Sequence, residues 1–484
     1  MNNEIQKNKI INSLIWKFTE RISAQAITFF VSIILARLLN PNDYGVIAIV
    51  LIFMNIADVF ANAGFGSALI QKKNADNLDF STVFYFNICF SVIIYLIIYI
   101  FSPYIAHFFN LPILIETLNI SALRIPIAAI NSVQYAYISR NMQFRKFFLG
   151  TLSGTIVSAF IGIIMAYQGY GIWALIGQYL SNAVVNTMVL FVLIKWHPQM
   201  IFSLKRLKSL FDYGWKILVS NLIDSGYASL NSLLIGKFYM PIDLAYFDTG
   251  KKFPMVIINN INITINSVLF PALASEQDEP EKVKAHTRKA IQIGSYIMWP
   301  IMLGMAACAE NIVSLVLTDK WLPTVPYLQI ACVTYGLWAL HTISLQGIKA
   351  IGRSDILLKL EVIKKVTGII ALLIALQYGV VAIAYSTMVA TIVAIVINIY
   401  PNKYLFEYSY IEQFKDVAYS FLLSFIVAIV IYNVTLPVNI LWLNLFLKII
   451  FAIFIYFILS NIFKISAYKY FLDYLVKMRR KERT

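Results

Sequence analysis

Polar and charged residues recur at helical spacing inside stretches that are otherwise apolar. Arg21, Gln25, Thr28 and Ser32 follow one another at intervals of four, three and four, which puts them on one helix face. Asn55, Asp58 and Asn62 repeat the pattern, as do Lys216, Ser220, Asp224, Tyr227 and Asn231. Lys252, Asn259, Asn262 and Asn266 form a further stripe with Lys251 on the adjoining face, and Arg124, Asn131 and Gln134 form another. Such polar groups cost kcal/mol in lipid and are expected to face inward. Glu20, Asp58 and Asp224 either neutralise those cations or bind sodium or protons for energy coupling. For the uncharged members, ordinary bonding between helices is an equal alternative. For Arg21, Arg124 and Lys252 an internal cavity is the expected place, because full charges in lipid cost several kcal/mol.

The elements that carry these stripes are membrane helices. Of 484 residues, 60% are hydrophobic and 13% charged, too apolar for a soluble core of this size. A span needs about 20 apolar residues. About fourteen segments qualify, so the chain is expected to be an all-α integral membrane protein. The stripes lie in the first, second, fourth, seventh and eighth of them, at 14–39, 44–70, 116–139, 209–236 and 243–270. With both ends inside, cytoplasmic segments hold 27 of the 39 basic residues, against Arg37, Lys237 and Lys320 outside. The net charge of +15 then reflects topology beside anionic lipid rather than nucleic-acid binding. Cys89, Cys308 and Cys332 fall in apolar spans without CxxC spacing and read as buried small hydrophobes. The four histidines are scattered, so neither a metal site nor a cofactor is expected, and no catalytic constellation is visible.

The spans are also duplicated. ILARLLNPNDYG (34–45) returns as LIGKFYMPIDLA (234–245), which aligns Pro41 with Pro241 and Asp43 with Asp243. GYGIWAL (169–175) returns as QYGVVAI (377–383), aligning Gly171 with Gly379 in a tight turn that a bulkier residue would strain. Two parallel six-helix repeats follow, with an N-terminal half at 1–200 and a C-terminal half at 201–410. Two further helices occupy 411–463, ahead of a basic tail at 464–484. The polar stripes of equivalent spans are expected to face each other across a central cleft. Pro126, Pro254 and Pro300 mark possible bends, Lys364 and Lys365 are expected to snorkel beside Glu361, and Lys448 lies within the last span.

ARLLNPNDYG (36–45), RNMQFRKF (140–147) and GYGIWAL (169–175) resemble the polysaccharide-transporter branch of the multidrug/oligosaccharidyl-lipid/polysaccharide exporter superfamily. The resemblance implies a Wzx-type flippase in the bacterial cytoplasmic (inner) membrane. Its substrate would be an undecaprenyl-pyrophosphate-linked oligosaccharide for O-antigen, capsule or colanic-acid assembly, with membrane lipids, a glycan polymerase and chain-length machinery as partners. In related peptidoglycan-precursor flippases, cations of the first and eighth helices line the lumen, and the matching positions here are Arg21 and, more loosely, Lys251 or Lys252. The two extra C-terminal helices look like the pair that accommodates a long lipid tail. The alternative is a cation-coupled exporter of amphiphilic small molecules, with Asp58 or Asp224 as the ion site.

Overall fold

A computed structural model describes residues 2–62, 65–434 and 440–470. Within these, side chains are described except at 2–15, 18, 61–62, 213, 263–264 and 266–268. Asn62 and Asn266 therefore lie outside the described side chains, and most of the basic tail lies outside the described chain. The chain forms two compact units, 1–245 and 246–484.

The first unit holds α1 (Asn2–Leu38), α2 (Pro41–Asn62), α3 (Phe65–Gln71), α4 (Asn77–Phe109), α5 (Leu114–Ala122), α6 (Arg124–Asn141), α7 (Phe144–Tyr167), α8 (Ile172–Leu193) and α9 (Leu204–Phe238). Next, α10 (Pro241–Ala274) leads into the second unit, followed by α11 (Pro280–Ala307), α12 (Ala309–Val316) and a 3-10 turn (Asp319–Thr324). The second unit continues through α13 (Val325–Gly336), α14 (Trp338–Ala350), α15 (Ser354–Ala375), α16 (Val380–Leu405), α17 (Tyr410–Asn433) and α18 (Leu441–Ile462).

Among the described residues ten segments are long and apolar enough to cross a membrane, fewer than the fourteen expected. The other four expected spans correspond to α5–α6, α9, α10 and α15. Each is polar or broken: α9 carries Lys216 and Asp224, α10 carries Lys251 and Lys252, and α15 carries Glu361, Lys364 and Lys365. The fourth is interrupted at Leu123, because Pro126 has no N–H for the carbonyl of Ala122. The chain is a multi-pass, all-helical membrane protein. Along α4 the exposed residues Val92, Ile93, Leu96, Ile97 and Ile100 form the apolar face such a helix turns to lipid. Cys89 is exposed, contrary to expectation, because it stands four and seven residues before Ile93 and Leu96 on that same face.

The duplicated motif is a helix start. Pro41 and Pro241 occupy the first turns of α2 and α10, where a missing N–H is harmless. The Asp43 carboxylate accepts the N–H of Asn40 at 3.3 Å, and Asp243 accepts that of Met240 at 3.2 Å. At the second motif, Gly171 and Gly379 adopt φ of +55° and +98°, the left-handed region that favours glycine. Gly45 answers a different need, since an added Cβ would overlap the carbonyl of Pro241.

The repeat and the packing divide the chain at different places. Although the duplication assigns α9 to the second half, it packs on α2, α3 and α4. The preceding linker is tied down first, with Gln199 N–H donating to Ser81 Oγ at 3.0 Å and Ser203 N–H to Thr82 Oγ1 at 3.1 Å. Phe211 then packs against Phe65. Several topological cations also hold this end together. Lys72 bonds Asp79 at 2.7 Å, Arg206 approaches Asp79 at 3.7 Å, and Arg140 donates to the carbonyl of Leu69 at 3.0 Å. Arg140 thereby satisfies the end of α3, whose last carbonyls have no helical partner. Asp76 caps α4 by accepting the Asp79 N–H, and that bond holds its carboxyl below the usual range.

Candidate functional site

In the first unit the polar stripes of α2 and α6 meet at the start of α6. Arg124 sits where the backbone break places it, at a helix N-terminus whose dipole disfavours a cation. Asp58 of α2 compensates: Arg124 Nη2 donates to its Oδ2 at 2.7 Å, with the two side chains 28% and 23% exposed. Asp58 is thus a charge partner across two helices. Asn131, on the same face of α6, donates to Thr187 Oγ1 of α8 at 2.7 Å, the ordinary helix-to-helix role. Gln134 is buried.

Along α1, Glu20 is buried and faces Lys17 at 3.5 Å, while the Lys17 ammonium lies 3.7 Å over the Phe147 ring. One turn on, Arg21 and Thr28 are exposed, with Gln25 and Ser32 half-buried between them. Asn55 is exposed on α2, and Lys216, Ser220, Asp224 and Tyr227 are exposed along α9. In α10, Lys252 and Asn259 are exposed and Asn262 is half-buried.

The second unit gathers a different set. Lys251 is held by Asp248 at 2.9 Å, one turn earlier on α10, and its ammonium lies 3.8 Å over the Phe247 ring. Asn262 accepts the indole N–H of Trp338, which opens α14 after a break at Leu337. Lys251, Phe247, Tyr327, Trp338 and His341 border a cavity of about 130 Å³. Sequence reasoning found Lys251 and Asn262 but missed the other members. Asp248 was available as an i,i+3 charge pair with Lys251. The aromatic wall was not, because it depends on the α13–α14 break, which no proline marks.

Two lysines outside the stripes take definite places. Lys364 is buried and paired with Glu361 at 2.6 Å instead of snorkelling, since the partner neutralises it in place. Lys448 borders a groove of about 440 Å³ between α11, α17 and α18, whose other walls include Pro300, Met305, Val427, Ile449 and Phe457. Among its lining residues Lys448 alone is charged. The arrangement combines cations inside helices, hydroxyls and amides near them, and an apolar channel along the two helices beyond the duplication.

Comparison with known proteins places this geometry. The chain is 23% identical to the succinoglycan biosynthesis transport protein ExoT of Rhizobium meliloti (strain 1021), over 74% of this chain and 72% of that one. It is 24% identical to the lipopolysaccharide biosynthesis protein WzxC of Escherichia coli (strain K12), over 77% and 76% respectively. Its fold is similar to that of the lipid II flippase MurJ in an inward-closed conformation. That match has a TM-score of 0.75 at 17% identity and covers 94% of this chain and 98% of the other. A family model described as polysaccharide biosynthesis protein matches residues 34–326, from the first helix-start motif to the start of α13, and by that match the chain belongs to the polysaccharide biosynthesis protein family.

Proposed function

We propose that this protein moves undecaprenyl-pyrophosphate-linked glycan repeat units from the cytoplasmic to the outer leaflet by alternating access. The product would feed O-antigen, capsule or exopolysaccharide assembly. The reading is carried by one observation: a groove whose lining is apolar apart from Lys448 and two tyrosines runs along α11, α17 and α18, while the stripes that carry Arg21, Arg124, Lys216 and Lys252 lie on α1, α6, α9 and α10. A lipid-linked sugar needs both environments. Its tail can remain in an apolar channel, whereas sugar and phosphates must cross about 30 Å of hydrocarbon without losing polar partners.

Arg21, Lys252 and Lys216 supply an attractive field for the headgroup, and Arg124 and Lys251 join them when Asp58 and Asp248 release them. Two six-helix halves rocking about the bound headgroup would deliver it outside. Asp58 and Asp224 are the carboxylates proposed to couple this cycle to a sodium or proton gradient, and Glu20 is a further charge partner. The protein would occupy the bacterial inner membrane with both termini cytoplasmic, handing its product to a glycan polymerase and chain-length machinery. Supporting this direction is a distribution of basic residues that favours the cytoplasmic segments.

Depletion in the native host tests the proposal. Loss of the protein should trap single lipid-linked repeat units on the cytoplasmic leaflet, protected from reagents outside. Accumulation of accessible units on the outer leaflet would assign the lesion to polymerisation instead, and unchanged units with altered efflux of amphiphiles would favour the small-molecule exporter.

A further inference from the structure

The cavity of about 130 Å³ in the second unit has walls that charge attraction alone does not explain. We propose that it is a subsite for a single neutral pyranose of the transported glycan, a proposal that rests on the flippase reading above.

Size comes first. A cavity of about 150 Å³ admits one benzene, which is smaller than a pyranose, so this one, open on one side, takes one face of a single ring and leaves the rest of the glycan outside. Its aromatic wall is fixed, as stacking on a sugar's C–H face requires: the Trp338 indole is anchored through its N–H to Asn262, and the His341 ring lies 5.7 Å from it at an interplanar angle of 33°. Hydrogen-bond acceptors complete the lining. Thr334 donates its hydroxyl hydrogen to Ile330 O and Thr391 donates its own to Thr387 O, each at 2.8 Å. Their oxygens keep lone pairs to receive sugar hydroxyls. His341 Nδ1 is buried without a hydrogen-bond partner, a further polar group in the wall. Finally, the one cation present is already neutralised, with Asp248 at 2.9 Å and the Phe247 face at 3.8 Å from the Lys251 ammonium. That balance suits an uncharged ring better than an acidic sugar or a cationic drug.

The test uses the full chain in lipid nanodiscs, with binding read by native mass spectrometry. The probes are undecaprenyl pyrophosphate alone and the same lipid bearing one glucose, galactose or N-acetylglucosamine. At least one sugar-bearing lipid should bind five-fold or more tighter than the bare lipid. Trp338→Ala should abolish that advantage and Thr391→Val should reduce it, while Trp338→Phe retains most of it. Binding of the bare lipid should be unchanged in all three variants, which also reports that they fold. Equal binding of all four lipids to the wild type, or an advantage that survives Trp338→Ala, would overturn the subsite and leave the flippase reading standing. Failure of the wild type to bind any of the four would remove that reading and the subsite with it.

Discussion

The two charge pairs at the candidate site, one in each unit, are built in opposite ways. In the first, the Arg124–Asp58 pair joins residues 66 positions apart and so ties α6 to α2. In the second, the Lys251–Asp248 pair closes within a single turn of α10. One pair is part of the framework; the other presents a neutralised cation to a cavity. The contrast extends to the repeat itself. Gly45 and Ala245 are equivalent positions, yet the Cβ that the second carries would overlap the Pro241 carbonyl at the first. Duplication therefore preserved the helix starts and let the interiors diverge, one toward support and the other toward a lined cavity.

That difference can be broken most severely at Gly45. Gly45→Val should prevent accumulation of folded protein, because the new side chain meets the Pro241 backbone and has no flexible neighbour to displace. The mirror change, Ala245→Gly, should cost about 1 kcal/mol as a helix-interior glycine. Monodisperse yield in detergent separates the two, and equal behaviour would erase the asymmetry. Next in size, Arg124→Leu should destabilise by about 2–4 kcal/mol, discounted from a fully buried pair because both side chains retain some exposure. The double variant Asp58→Asn with Arg124→Gln should recover part of that loss in a thermal melt. Additive losses would mean that the pair does not act as a pair.

A smaller effect distinguishes the caps. Asp76→Ala should cost about 1 kcal/mol at the start of α4. The Asp76 carboxyl is depressed below its ordinary 3.8 chiefly by the Asp79 backbone N–H. Its contribution is therefore fully present above that ordinary value and is lost as pH falls through the lower folded one. Ser409, which caps α17 through Glu412 N–H, has no titrating oxygen of its own. On acidification the hydrogen-exchange protection factor, which removes the intrinsic slowing of exchange, should fall at the Asp79 amide before the Glu412 amide. Smallest of all, Lys251→Met should change stability by only about 0.5 kcal/mol, since a local pair contributes little. A loss as large as that of Arg124→Leu would mean that Lys251 is framework too.

Much of this was legible because membrane helices advertise themselves. The apolar runs, the two helix-start motifs and the turn glycines are local features, and the structure realises Asp43, Asp243, Gly171 and Gly379 as the spacing implied. On α1, α9 and α10, Arg21, Lys216, Asp224 and Lys252 are exposed. What escaped depends on contacts between distant segments. Nothing near Asp58 announces Arg124, and nothing near Lys251 announces Trp338 or His341. The packing of α9 with the first unit runs against the duplication because it is set by linker bonds to Ser81 and Thr82.

The central claim is that the intramembrane cations carry a pyrophosphate headgroup across. Proteoliposomes containing a fluorescent undecaprenyl-pyrophosphate-linked glycan measure this directly, by the rate at which the sugar becomes accessible on the opposite leaflet. The wild type should move the lipid, the triple variant Arg21→Gln, Arg124→Gln and Lys252→Gln should slow it at least ten-fold at matched abundance, and Arg21→Lys with Arg124→Lys and Lys252→Arg should restore most of the rate. A triple-neutral protein that translocates the lipid as fast as the wild type would contradict the claim.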